Sequence, residues 1–140
     1  MAKRHDVLEF AVLGVLSDGP LHGYELRKRL AAVLGPFRAL SYGSLYPCLR
    51  RLQAKRLIDE VDVTPAIESS APPLSARRAR VVYAISADGK EEFATWANQP
   101  GPEAWEDEGF AAHLAFFGRT EARVRLRILA GGCSGLEYKL

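Results

Sequence analysis

Apolar residues recur at helical spacing in three successive stretches near the start of the chain. These stretches are residues 6–19, 21–36 and 41–58, and a Gly-Pro pair closes each of the first two. Apolar positions three and four residues apart share one side of a helix, and Gly and Pro are typical of its end. The pattern predicts three consecutive helices. In the second, the candidate core positions are Tyr24, Leu26, Leu30, Val33 and Leu34.

The third stretch has one apolar face and one small, basic face. At about 100° per residue, Leu45, Leu49 and Leu52 fall on one narrow side of a helix, as expected for a buried stripe. The other side carries small and basic residues, which are Gly43, Pro47, Arg50, Arg51 and Ala54. Tyr42 and Tyr46 lie along one flank of this side, and Ser44 and Lys55 lie along the other. Such a face suits insertion into a groove.

Pro47 allows two starts for this third helix. If Ser44 is the N-cap, Pro47 lies in the first turn, where its missing N–H would have had no partner. If Ser41 is the N-cap, Pro47 lies in the helix interior and must bend the helix. The sequence leaves both alternatives open.

Two stretches after the third helix have the composition of strands. Residues 58–63 and 80–86 are rich in β-branched and aromatic residues, and the segment between them is rich in Pro, Ser and Ala. The pattern predicts a β-hairpin with a long tip. The cations of this tip are Arg77, Arg78 and Arg80.

Helical spacing returns after the hairpin. Residues 86–97 predict a helix capped by Ser86, with Phe93 and Trp96 at packing distance along it. The stretch NQPGPE at residues 98–103 then breaks the pattern.

Two more helices are predicted beyond this break. Phe110, Leu114 and Phe117 share one helical face, which resembles a partner-binding surface, and Trp105 precedes them. Residues 123–129 alternate like a strand. Thr120 as an N-cap and Gly131-Gly132 as a stop nevertheless favour a helix there, and the last residues are expected to fray.

Composition and charge narrow the class of protein. A chain of 140 residues, 48% hydrophobic, allows one domain or a small domain with an appendage. The formal net charge is only +2, but residues 1–56 carry ten Lys or Arg and four Asp or Glu. Positive charge concentrated in the half with the basic helix favours a polyanion partner.

Several other classes of protein find no support in the sequence. Cys48 and Cys133 do not form a disulfide framework, and Cys48 is interpreted as a small buried thiol rather than an oxidant sensor. Asp6 and Glu9 interrupt the first apolar run, no cleavage pattern follows it, and no stretch approaches the roughly eighteen apolar residues of a membrane span. We therefore expect a cytoplasmic, reduced protein.

Catalytic and metal-binding motifs are not found either. The sequence has no glycine-rich phosphate loop and no nucleophile elbow, and the acidic run at residues 106–108 is typical of a first helical turn. His22 is interpreted as a turn-packing or capping residue, and His5 and His113 have no Cys, Asp or second His at metal spacing. We expect neither an enzyme nor a bound cofactor or metal.

Three helices followed by a hairpin is the order of a winged helix-turn-helix, in which the third helix enters the major groove of DNA. The segments VLSDGPLHGYELRKRL (15–30) and SYGSLYPCLRRLQAKRLI (41–58) resemble the PadR family of bacterial transcriptional regulators, as does SADGKEEF (86–93). The resemblance covers roughly residues 7–97, with a weaker match in EGFAAHLAFF (108–117).

The resemblance implies a fold, a domain division and a function. The fold is mainly α with a small β-hairpin: a winged helix-turn-helix DNA-binding domain at residues 1–97, and a C-terminal helical dimerisation segment at residues 98–140, shorter than in longer relatives. The function is sequence-specific binding of a homodimer to a palindromic operator, with repression that a small-molecule effector releases. The alternative is a winged helix that contacts proteins and binds no specific DNA.

The resemblance also assigns candidate site residues. Hydroxyls and the start of the recognition helix are expected to bind phosphates, and the arginines to contact phosphates or guanine edges. The DNA-binding set is Ser41, Tyr42, Gly43, Ser44, Tyr46, Arg50, Arg51, Lys55, Arg77, Arg78 and Arg80. The dimer or effector set, for which a dimer core is the simpler explanation, is Trp96, Trp105, Phe110, His113, Leu114 and Phe117.

The chain departs from the family pattern in two places. The hairpin tip is longer and richer in Pro and Ser, so it is either an ordered wing or a disordered basic arm. Arg56 stands where a glycine is common, which puts a left-handed cap at the end of the third helix in doubt.

Overall fold

A computed structural model describes residues 6–35, 42–62 and 81–132 of the chain. The helices are α1 (Val7–Leu16), α2 (Gly23–Leu34), α3 (Tyr42–Ala54), α4 (Ala87–Asn98), α5 (Asp107–Ala115) and α6 (Ala122–Gly132). The strands are β1 (Leu21–His22), β2 (Ile58–Asp62) and β3 (Val81–Ile85), and short 3-10 helices occupy Pro102–Trp105 and Phe117–Arg119. The mainly helical fold with a small β-hairpin is confirmed.

The sheet has three antiparallel strands in the order β1-β3-β2. The predicted hairpin is confirmed, with Ile58 opposite Ile85 at the base of the β2–β3 pair. Strand β1 was not predicted. It pairs Leu21 with Tyr83, and residues assigned from the sequence to the second helix form it.

Helix α1 lies at the centre of the core. Nine of its ten residues are buried, and α2, α3, α4 and α5 all contact it. A helix that is apolar all round is expected at such a central position, because every side of it faces another element. The exception among the buried side chains is Glu9, which is 3% exposed.

Helix α2 packs through a leucine stripe. Leu26, Leu30 and Leu34 are fully buried, as predicted, and Val33 is partly buried. Tyr24 is 55% exposed, so its assignment to the core was wrong. It lies in the first turn, two residues before Leu26 and therefore about 200° around the helix from the stripe.

Helix α3 begins at Tyr42, which decides between the two starts considered for it. Ser44 is not the N-cap, and Pro47 lies inside the helix. The proline there lacks the N–H that would donate to the carbonyl of Gly43. Leu45, Leu49 and Leu52 are buried as predicted.

Helix α3 ends in a left-handed turn at Arg56. Its φ of 60° is the backbone conformation that glycine usually supplies. The Leu57 N–H donates to the Leu52 carbonyl at 2.9 Å and the Arg56 N–H to the Gln53 carbonyl at 2.9 Å, which are the two bonds of a Schellman cap. The doubt about this cap was therefore wrong: it forms without a glycine.

Ser86 joins this end of α3 to the start of α4. Its side-chain oxygen accepts from the Gly89 N–H at 3.0 Å, as the predicted N-cap, and its hydroxyl donates to the Arg56 carbonyl at 2.8 Å. The Ser86 N–H donates to the Leu57 carbonyl at 3.0 Å. Position 89 requires a glycine because the backbone of Leu57 lies so close that a Cβ would collide with its carbonyl oxygen.

The C-terminal helices differ from the prediction in detail. Helix α5 ends at Ala115, so Phe117 lies in a 3-10 helix and does not continue the face of Phe110 and Leu114. Phe116 packs inward instead, edge-on to Phe10 with ring centroids 5.6 Å apart. Because α5 ends before these residues, Phe116 rather than Phe117 packs against the core.

Helix α6 is confirmed as a helix rather than a strand. Thr120 was wrongly assigned as its N-cap: the helix begins at Ala122, and the Thr120 hydroxyl donates to the Phe116 carbonyl at 3.2 Å. Helix α6 runs to Gly132, the second glycine of the predicted stop and the last residue that the structure describes. Within the described ranges, no helix is long and apolar enough to span a membrane.

Candidate nucleic-acid interface

The outward face of α3 is small and basic, as predicted. Gly43, Ser44, Pro47 and Arg50 are exposed, while the three leucines of the same helix are buried on the other side. Because α1 lies behind α3 and strand β2 beside it, this face remains open to solvent. Its small side chains allow close approach of a partner backbone.

A cleft lies between α3 and the hairpin. Tyr46, Leu49, Arg50 and Gln53 line it from the helix, and Glu60, Val81 and Tyr83 line it from the strands. Gln53 Nε2 donates to Glu60 Oε2 at 2.9 Å across the two elements. This bond links the middle of strand β2 to α3. Tyr46 is half-buried at the edge of the core, with its side chain in the cleft.

Arg51 and Lys55 have a different environment from Arg50. Both side chains are about half exposed, as predicted for an outward flank, but their charged groups bind the buried Glu9 of α1. Arg51 Nε lies 3.0 Å from Glu9 Oε1, and Lys55 Nζ lies 3.0 Å from Glu9 Oε2. The hydrogen bond to Glu9 raises the pKa of the Arg51 guanidinium.

Glu9 is the site residue that sequence reasoning missed. It was interpreted only as a polar interruption of the first apolar run. The available signal was its position, because a carboxylate inside an otherwise buried helix needs a cation from a neighbouring element. The basic third helix was the obvious source.

Some predicted contacts fall outside the described part of the chain. Ser41 and the three tip arginines Arg77, Arg78 and Arg80 lie there. Tyr42 begins α3, but its side chain is not among those described.

Cys48 is fully buried on the inner side of α3, in agreement with the buried-thiol interpretation. Burial, and then the negative charges of Glu9 and Asp6, raise the pKa of the Cys48 thiol from 9.0 to about 12. The thiol is therefore protonated near neutral pH, and the reactive thiolate is scarce.

The residues predicted for a dimer or effector site do not share one surface. His113 is 1% exposed and stacks on Phe10 with ring centroids 4.5 Å apart, so it belongs to the core. Leu114 and Trp105 are exposed, whereas Trp96, Phe110 and Phe117 are half-buried. Among the described residues, no group of three or more His, Cys, Asp or Glu is arranged to hold a metal ion.

Comparison with known proteins gives consistent matches. The model of the transcriptional regulator PadR-like family matches residues 12–95. The negative transcriptional regulator PadR of Bacillus subtilis (strain 168) is 31% identical over 104 residues, which are 73% of this chain and 52% of that protein. The chain thus spans about half the length of this curated relative.

Two solved structures of Bacillus subtilis PadR are also similar. The structure in complex with operator DNA is 27% identical, with a TM-score of 0.52, and the match covers 80% of this chain and 59% of that one. The structure in complex with p-coumaric acid is 24% identical, with a TM-score of 0.51, and the match covers 96% of this chain and 70% of that one. At this identity the second structure supports the fold alone.

Proposed function

The chain belongs to the PadR-like family of transcriptional regulators, and on this basis we propose that it binds operator DNA as a homodimer and represses transcription. Its role is regulatory rather than catalytic, and its place of action is the bacterial cytoplasm, where the DNA lies. The observation that carries the proposal is the face of α3 on which small residues surround the exposed Arg50.

Several polar groups of α3 have suitable targets on a DNA duplex. The Arg50 guanidinium can donate two hydrogen bonds to a guanine edge in the major groove. The Ser44 and Tyr46 hydroxyls and the N–H groups at the start of α3 can donate to phosphate oxygens, which fixes the register of the helix in the groove. The complex of the related PadR with operator DNA supports this use of the fold.

Two copies are needed to read a palindrome. We propose that residues 103–130 form the dimer interface, since this segment contains four of the six large exposed apolar side chains in the part of the chain that the structure describes. These are Trp105, Leu114, Leu126 and Leu129. Two-fold pairing would place the recognition helices about 34 Å apart, one turn of DNA.

Release by a small molecule completes the proposal. The structure of Bacillus subtilis PadR contains p-coumaric acid, so this fold can bind a small aromatic ligand. In this chain we propose Trp105 and Phe110 as the first residues to substitute in a search for the effector, because both lie where the C-terminal helices meet solvent.

Footprinting on the promoter upstream of the chain's own reading frame tests the function. We expect a protected, roughly palindromic patch, and binding that weakens as salt rises. Arg50→Ala should weaken operator binding by about 1–3 kcal/mol, whereas the control Lys90→Ala on the exposed side of α4 should not change it. Equal affinity for every duplex, or no salt-dependent DNA binding, would instead support a winged helix that contacts proteins.

A further inference from the structure

Glu9 lies beneath the flank of the recognition helix that faces α1. Its side chain is 5% exposed, and each of its two carboxylate oxygens binds a different cation of α3 at 3.0 Å, Arg51 and Lys55. The Arg51 guanidinium also lies 3.6 Å from Asp6 Oδ2, at the start of α1. One buried acid therefore holds two cations that the helix pattern directs toward solvent.

The burial of Glu9 makes these pairs hard to exchange. An ionised carboxylate away from water is costly unless cations and hydrogen bonds compensate it. If Lys55 or Arg51 moved to a DNA phosphate, Glu9 would lose one of the two groups that balance it. A fully exposed ion pair has no such restraint, because water solvates the carboxylate that is left behind.

The charges on this flank also cancel. Arg51 and Lys55 contribute two positive charges, and Asp6 and Glu9 contribute two negative ones; Glu9 contacts both cations at 3.0 Å, and Asp6 contacts Arg51 at 3.6 Å. Arg50 is adjacent in sequence but about 100° around the helix from Arg51. Among residues 6–35, 42–62 and 81–132 it forms no ion pair, and it lines the cleft beside the hairpin.

We propose that Glu9 is a positioning residue that sets sequence specificity by withholding Arg51 and Lys55 from DNA phosphates. The inference rests on the proposed function and deepens it. Phosphate contacts raise the affinity for every duplex alike, because each one releases counterions whatever the sequence. With Arg51 and Lys55 neutralised by Glu9 and Asp6 together, Arg50 and the small face of α3 make a larger share of the contacts, so operator and non-operator DNA differ more.

The test is Glu9→Gln in the full chain, measured as the salt dependence of binding to operator and to non-operator duplexes. Glutamine keeps the shape and removes the charge. We expect the slope of log affinity against log salt on non-operator DNA to steepen by about one to two, since each freed cation adds roughly 0.9. Non-operator affinity near 0.1 M salt should rise by up to roughly tenfold per freed cation, and the operator preference should fall.

Asp18→Asn is the matched control. It removes the same charge and also releases one arginine, because Asp18 pairs with Arg119 at 2.6 Å at the other end of α1. Its pair is exposed on both sides and involves no residue of α3. If Glu9→Gln changed the slope no more than Asp18→Asn does, the inference would be overturned.

A second variant covers the case in which Glu9→Gln does not fold. Lys55→Ala in the native background should leave the salt slope within about 0.3 of its native value, whereas a true phosphate contact would lower it by about 0.9. A drop of that size overturns the inference while leaving the proposed function intact. Failure of the native chain to bind any duplex overturns both.

Discussion

Helices α3 and α6 bury similar apolar stripes and differ in what they expose. Helix α3 buries three leucines and exposes an arginine among small residues, whereas α6 buries Val124 and Ile128 and exposes two leucines together with arginines. Leu126 is 68% exposed and Leu129 41% exposed. The buried stripe attaches each helix to the core, and the outward face selects the partner. A basic face suits DNA, and an apolar face suits a second copy of the protein.

The largest effect is expected from charge placed on the apolar face of α6. Replacing Leu126 and Leu129 together by Glu should give a folded monomer, since each leucine buried in a dimer contributes about 1.5–3 kcal/mol. Operator affinity should fall by at least roughly a hundredfold as the second half-site is lost. Light scattering and duplex binding measure the two effects.

The exposed Arg127 provides the control for that experiment. Arg127→Glu changes the net charge by the same two units as the double leucine variant, but it removes no apolar surface. We expect it to stay dimeric. A double leucine variant that remained dimeric would show that α6 does not form the interface, and the proposed contrast between α3 and α6 would then be wrong.

The next effect separates the two faces of α3. Leu49→Ala should lower the free energy of unfolding by about 2–5 kcal/mol, because it leaves a cavity in the core. Arg50→Ala, one residue further along, should change it by less than about 0.5 kcal/mol. Urea unfolding measures both variants, and a large loss of stability in Arg50→Ala would show that its face is not free for DNA.

A smaller effect concerns the cap of α3. Arg56→Gly should stabilise the protein by roughly 0.5–1 kcal/mol, because glycine adopts the positive φ without the steric cost of a side chain. The same substitution two residues earlier, Ala54→Gly, lies within the helix and should cost about 1 kcal/mol. The melting temperature should therefore rise for Arg56→Gly and fall for Ala54→Gly. A fall for both variants would contradict the idea that the positive φ at Arg56 is strained.

The smallest effect near neutral pH concerns Cys48 on the buried side of α3. Its raised pKa favours the protonated thiol in the folded state, so its contribution to stability is complete below pH 9.0 and is lost as pH rises toward about 12. In a Cys133→Ser background, iodoacetamide should label Cys48 only on unfolding. Rapid labelling of the folded protein at pH 7 would contradict the burial.

Periodicity predicted most of the fold because it depends on local spacing. The leucines of α3 and the Ser86 cap follow from residues three or four apart, and both are confirmed. Strand β1 was not predicted because a strand of two residues is too short to show an alternating pattern. Its pairing with β3 also joins positions sixty residues apart. The exposed position of Arg50 on the outward face of α3 was predictable, because it is a property of one helix. The pairing of Glu9 with Arg51 and Lys55 depends on how α1 crosses α3, which no local pattern specifies.

The hydrogen bonds at Ser86 connect the end of α3 directly to the start of α4. The last turn of the recognition helix and the first turn of α4 are held by the same serine, while Gly89 lets α4 sit directly against the backbone of Leu57. Helix α4 leads into the segment proposed to bind the second subunit. In the proposed dimer, a tilt of α4 at that distant end would therefore move α3 and change the spacing between the two copies of α3.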